Sequence, residues 1–137
     1  MVGILIVSHG RLADALISSV QSLAGNLEKI KGVPISLKER EAEVRYRIRK
    51  QMVEVDDGDG VVILTDILGG TPANLSLSFL EDDKVEVVTG VNVPMLLTLA
   101  SYRKGRSLRE LGSLLKKSGR RGIILAKEAF GLRRRPK

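Results

Sequence analysis

The sequence predicts an α/β fold, a flavodoxin-like, doubly wound and mainly parallel five-stranded sheet with helices on both faces. Three observations carry this expectation. Apolar runs of strand length alternate with longer segments whose apolar residues fall at helical spacing. The first and third runs are apolar almost throughout, as strands buried on both faces require. The runs end in loops rich in Gly, Thr, Asp, Asn and Pro, the residues that make turns and start helices. In a chain of 137 residues with no linker and no repeat, one core suffices for one domain, assigned to residues 1–130, with a basic tail at 131–137.

Ile4 to Val7 forms the first strand, and Leu12, Leu16, Ile17, Val20, Leu23 and Ala24 form the apolar face of a helix ended by Gly25-Asn26. Val33 to Leu37 predicts the second strand. Val44, Ile48, Met52 and Val55 then give the apolar stripe of a helix whose other faces are charged. Asp56-Asp57-Gly58-Asp59-Gly60 reads as a turn rather than a calcium loop, because the alternating oxygen ligands stop at Asp59 and no glutamate closes the loop. Val61 to Leu64 predicts a central strand ending at Thr65-Asp66. The loop Ile67 to Pro72 leads into a helix expected from Ala73 to Leu80, with Thr71 as N-cap and Pro72 at the first helical position. Val85 to Val88 predicts the fourth strand, followed by Thr89-Gly90-Val91-Asn92. Pro94 opens a short helix carrying Met95, Leu96, Leu97 and Leu99. Leu108, Leu111, Leu114 and Leu115 mark a last amphipathic helix, and Ile123-Ile124-Leu125 a fifth strand. The expected strand order is 2-1-3-4-5, with a Rossmann-like order as the alternative.

Composition excludes several classes of function. Without cysteine there is no disulfide framework and no thiolate metal site, and a single histidine argues against zinc, so no metal and no cofactor are expected. The apolar runs are too short for a bilayer and the N-terminus lacks signal-peptide features, which predicts a cytoplasmic protein. The net charge of +7 is compatible with an anionic partner. However, the basic residues are scattered, among them Arg40, Arg45, Arg47, Arg49, Arg103, Arg109, Lys116 and Arg120, and read as solvated helix faces and turns. Arg133-Arg134-Arg135-Pro136-Lys137 reads as a frayed tail. With 3% aromatic residues the chain lacks stacking platforms, so no nucleic-acid partner is expected.

The candidate chemistry gathers at strand ends. His9 follows the first strand and Asp66 the third; in the order 2-1-3-4 these strands are neighbours, and their loops flank one crevice. An aspartate accepting a hydrogen bond from one imidazole nitrogen fixes the tautomer and leaves the other nitrogen with a lone pair. The plainer reading of Asp66 is a cap or turn residue. Gly69, Gly70 and Thr71 at a helix start allow an anion to approach backbone N–H groups, and Asn92 could reach the same crevice or simply serve its turn. Together, His9, Asp66 and an anion-binding helix start point to phosphoryl transfer through phosphohistidine. The chain has no Walker lysine motif and no acidic cluster after the first strand to hold magnesium. The donor is therefore expected to be another phosphoprotein rather than ATP.

Three stretches carry a resemblance: Gly3 to Gly10 (Gly-Ile-Leu-Ile-Val-Ser-His-Gly), Thr65 to Asn74 (Thr-Asp-Ile-Leu-Gly-Gly-Thr-Pro-Ala-Asn) and Val88 to Leu96 (Val-Thr-Gly-Val-Asn-Val-Pro-Met-Leu). The chain resembles the enzyme IIA domain of the mannose family of the phosphoenolpyruvate-dependent sugar phosphotransferase system. The resemblance implies a cytoplasmic phosphocarrier that takes phosphate from HPr on His9, with Asp66 as imidazole partner and Gly69, Gly70 and Thr71 at the phosphate. It passes the phosphate to a IIB component, here a separate chain, during sugar uptake through a membrane permease complex. The resemblance also implies a homodimer in which the last strand, Ile123 to Leu125, is exchanged. Alternatives kept open are a regulatory phosphocarrier not coupled to transport, the related dihydroxyacetone kinase phosphodonor, a receiver-type module phosphorylated on Asp66, and a flavin or nucleotide binder.

Overall fold

The computed structural model describes residues 1–67 and 69–131. Of the expected tail, all but Gly131 lies outside the described residues. The elements in order are β1 (Gly3–His9), α1 (Leu12–Ala24), β2 (Ile30–Ile35), α2 (Glu41–Val55), β3 (Val61–Thr65), α3 (Thr71–Leu77), β4 (Val85–Thr89), α4 (Val93–Tyr102) and α5 (Leu108–Arg121). A π-helical turn, Lys127–Gly131, follows. The strands form one parallel sheet in the order β2-β1-β3-β4. Val7 lies opposite Thr65, Thr65 opposite Thr89 and His9 opposite Ile35, so all four strands deliver their carboxyl ends to one edge.

Side-chain alternation along β1 divides the core into two layers. Val2, Ile4 and Ile6 pack with Val62 and Leu64 beneath α1, α4 and α5. Leu5 and Val7 pack with Ile63, Val44, Ile48 and Leu75 beneath α2 and α3. β1 and β3 are buried along almost their whole length, in keeping with their unbroken apolar sequence. Gly3 permits this packing: a Cβ there would lie 2.2 Å from the carbonyl oxygen of Val55 at the end of α2.

The structure corrects the expected fold at four points. The sheet has four strands among the described residues, and Ile123-Ile124-Leu125 lies outside them with its side chains exposed. The reason is parity. Two helices follow β4, so α4 carries the chain to the amino edge and α5 returns it to the carboxyl edge, where no further parallel strand can begin. β2 starts at Ile30, ahead of the expected Val33. Gly32 and Pro34 obscure this strand in the sequence, yet Pro34 is tolerated on an edge and a Cβ at Gly32 would stand 2.6 Å from Asp14 Oδ1 on α1. α3 begins at Thr71, with Gly70 rather than Thr71 at the N-cap, and ends at Leu77, short of Leu80. Arg103, expected on a solvated face, is 5% exposed. Its guanidinium donates to the carbonyls of Val2 (2.8 Å), Lys29 (2.7 Å) and Glu28, fastening the end of α4 to the amino edge of the sheet. Among the described residues, no helix is long and apolar enough to cross a membrane.

Candidate functional site

The buried run of β1 ends in a polar residue with a structural task. Ser8 is fully buried, and its Oγ accepts the N–H of Ala13 at 2.9 Å, satisfying a donor at the start of α1. His9 follows at the strand end. Gly10 then turns the chain at φ +54°, a conformation that costs glycine little, and donates its N–H to Ile35 O at 3.0 Å. The imidazole is thus delivered to the carboxyl edge on a rigid strand.

Asp66 reaches the same place from β3. The loop beyond β4 pins its backbone, with Gly90 N–H donating to Asp66 O at 3.0 Å and Val91 N–H to Thr65 O at 2.9 Å. Its Oδ2 accepts the backbone N–H of His9 at 2.9 Å and meets His9 Nδ1 at 2.6 Å. Its Oδ1 accepts the N–H of Ile67 at 2.8 Å. The Asp66 side chain is 13% exposed against 40% for His9, so the carboxylate sits behind the ring and the ring faces outward.

Burial pushes the Asp66 carboxyl up, but the hydrogen bonds from the backbone and ring of His9 and from the backbone of Ile67 outweigh it. The carboxyl is held below its usual value of 3.8. It is therefore an acceptor at neutral pH. Against a carboxylate acceptor Nδ1 is the donating nitrogen, and in the neutral tautomer that this contact favours the lone pair is on Nε2.

The third element lies against the ring edge. A Cβ on Gly70 would stand 3.1 Å from His9 Cε1, the carbon between the two nitrogens, and 3.3 Å from Ile67 Cγ2. Glycine at position 70 keeps this edge clear. Gly69 turns at φ +90°, and the carbonyl of Gly70 accepts Asn74 N–H at 2.9 Å, so the loop is tied into α3. Thr71 is the first residue of that helix.

The structure thus brings His9, Asp66 and Gly70 into one constellation, flanked in sequence by Gly69 and Thr71. Asn92, expected at the phosphate, has other work. Its Oδ1 accepts Met95 N–H at 3.0 Å as the cap of α4, and its Nδ2 donates to Gly119 O at 3.0 Å, joining α4 to α5. Each polar end of the side chain thus makes one bond that holds the helices together. The sequence reading gave Ser8 no role. A hydroxyl closing an apolar strand a few residues before a helix was the signal available.

A family model described as PTS system fructose IIA component matches residues 3–115. The fructose-specific EIIA component of the phosphotransferase system (PTS) in Bacillus subtilis is 29% identical over 129 residues, covering 93% of this chain and 88% of that protein. The mannose-specific EIIAB component of Escherichia coli is 31% identical over 124 residues, which span 89% of this chain but 38% of the longer relative. The crystal structure of a phosphotransferase system component EIIA from Streptococcus agalactiae superposes with a TM-score of 0.84 at 29% identity, covering 93% of this chain and 99% of that one.

Proposed function

Because the chain belongs to the PTS system fructose IIA component family and is a phosphocarrier of the sugar phosphotransferase system, we propose that its phosphoryl group is carried on Nε2 of His9. The supporting observation is the 2.6 Å contact between His9 Nδ1 and Asp66 Oδ2, which leaves Nε2 as the nucleophilic nitrogen. The Nε2 lone pair forms a bond to the phosphorus of an incoming phosphohistidine. The N–P bond of the donor breaks, and its electron pair returns to the donor ring. Nδ1 keeps its proton throughout, and the Asp66 carboxylate stabilises the positive charge that the phosphorylated ring acquires. Gly69, Gly70 and Thr71 present backbone beside the phosphoryl oxygens, and Gly70 leaves room for them at the ring edge.

The donor on this reading is HPr, and the acceptor is a IIB component serving a sugar permease in the cytoplasmic membrane. Incubation with phosphoenolpyruvate, enzyme I and HPr is expected to place an acid-labile, base-stable phosphate on the chain. His9→Ala abolishes it. Labelling that persists in His9→Ala, or that requires magnesium and acetyl phosphate, overturns the assignment.

The carrier acts as a homodimer on the same reading. The outer edge of β4 has no strand partner among the described residues, and Ile123-Ile124-Leu125 exposes three consecutive β-prone or apolar side chains. Exchange of this segment onto the partner's β4 covers both. Sedimentation is expected to give a dimer for the full chain and a monomer for a chain ending at Gly122; a dimer in both refutes strand exchange.

A further inference from the structure

We infer that the protein which exchanges phosphoryl groups with His9 docks through a carboxylate-bearing surface with an apolar centre, and that Arg11, Lys38 and Arg40 form the basic rim that receives it. This rests on the carrier role of His9 given above. Two helices begin beside His9: α1 from the loop after β1, and α2 from the loop after β2, whose last residue, Ile35, lies opposite His9. Both have arginine at the N-cap, Arg11 and Arg40, and neither arginine makes a side-chain capping bond. A helix start selects against this residue type. Arginine offers no acceptor to the exposed N–H groups and adds positive charge to the positive end of the helix. By contrast, α4 and α5 begin with the acceptors Asn92 and Ser107. At α1 the missing acceptor is supplied by Ser8 from within the core.

The carboxylates of these loops are already engaged inside the chain. Asp66 is held by His9 and Ile67, Glu39 by Ser36 N–H and Arg47, and Glu41 by Arg45. Asp14 and Glu43 lie in the first turns of α1 and α2, where they answer the helix dipoles. Arg11, Lys38 and Arg40 are exposed and enter no ion pair among the described residues. Next to them in the chain Leu37 is 83% exposed and Leu12 43%, and Ile67, beside Asp66 and Gly70, is 63% exposed. Exposed apolar side chains in or next to the loops that follow β1, β2 and β3 at the sheet edge bearing His9, with Arg11, Lys38 and Arg40 in the first two of these loops, have the make-up of a protein interface. A small phosphorylated metabolite would engage the cations but leave Leu37 and Ile67 uncovered. The complementary partner surface is acidic, so its encounter is steered by charge.

The test measures kcat/KM for transfer to His9 from phosphorylated HPr of the same organism at about 50 and about 500 mM salt, with phosphoramidate as a donor that needs no docking. The rim variant is Arg11→Glu with Lys38→Glu and Arg40→Glu. A control of equal charge change at exposed positions away from the rim is Lys50→Glu with Lys84→Glu and Lys104→Glu. The rim variant is expected to lose at least about tenfold more toward phosphorylated HPr than toward phosphoramidate. The control is expected to stay within about twofold of wild type, and high salt to slow the wild type about fivefold or more. The neutral pair Arg11→Gln, Arg40→Gln gives a smaller loss of the same sign and guards against misfolding of the triple variant. Equal losses in rim and control variants, a faster rim variant, or a salt-independent wild-type rate overturns the inference. Absence of phosphate on His9 with both donors overturns the carrier reading itself, and is distinguished by the phosphoramidate arm.

Discussion

A single carboxylate oxygen, Oδ2 of Asp66, contacts both the backbone N–H and the ring of His9, so it fixes where the residue sits and, on the proposed mechanism, leaves Nε2 as the nucleophile. Asp66→Asn keeps the shape but removes the charge and sets an amide against Nδ1. Phosphoryl transfer is expected to fall by about 10²- to 10⁴-fold, read by stopped-flow transfer from phosphorylated HPr; a loss under about threefold would remove Asp66 from the mechanism. The same carboxyl sets a pH signature. Its folded-state pKa lies below the usual value, so its contribution to stability is present above the unfolded-state pKa and is lost as pH falls through the folded-state value. Urea unfolding from about pH 5 down to about pH 2 should show this loss in wild type and its absence in Asp66→Asn. Gly70 acts by what it lacks. In Gly70→Ala the new Cβ meets His9 Cε1 at 3.1 Å, so the ring must shift by a few tenths of an ångström. Transfer is expected to slow about tenfold with Tm nearly unchanged, since placement rather than stability is disturbed. His9, Asp66 and the Gly-Gly turn were legible in the sequence because strand ends expose side chains by construction. The capping role of Asn92 was not legible, because an amide in a loop carries no mark of which neighbour it will bond.

At the scale of elements, the helix starts divide into two kinds. α5 opens with a capping box between Ser107 and Glu110, as helix physics favours. α2 opens on Arg40 although Glu43 stands at the third position, where it could complete such a box. Arg40→Ser supplies the missing hydroxyl. It is expected to raise stability by about 1 kcal/mol, a few degrees in Tm by calorimetry, while slowing transfer from phosphorylated HPr at low salt. A stabilised variant with undiminished transfer would show Arg40 to be an ordinary surface residue. The elements themselves were read correctly in type up to α5, because their apolar periodicity is a local property. Boundaries shifted where a tertiary constraint intervened: Gly32 in β2 answers the approach of α1, and Gly70 precedes α3 because a side chain there would crowd the imidazole.

For the whole molecule, Arg103 shows most directly how distant segments are tied. Burial pushes its guanidinium below the usual value, while Asp57 and Glu28 act in the other direction. The bonds it donates join the end of α4 to the residue just before β1 and to the loop before β2. Arg103→Met withdraws all of them and is expected to cost about 3 kcal/mol in urea unfolding; a loss under about 1 kcal/mol would mean that water replaces the guanidinium. Nothing in the sequence around Arg103 separates it from the solvated cations beside it. By itself the sequence determined the α/β class, the β2-β1-β3-β4 neighbourhood and the meeting of His9 with Asp66, since periodicity is local and right-handed crossovers leave few ways to order parallel strands. Only the tertiary structure decided the four-stranded sheet, the burial of Arg103 and the use of Asn92 as a cap. Each of these depends on which chain segment arrives at a given edge, and that follows from the lengths and directions of packed elements rather than from any residue's own preference.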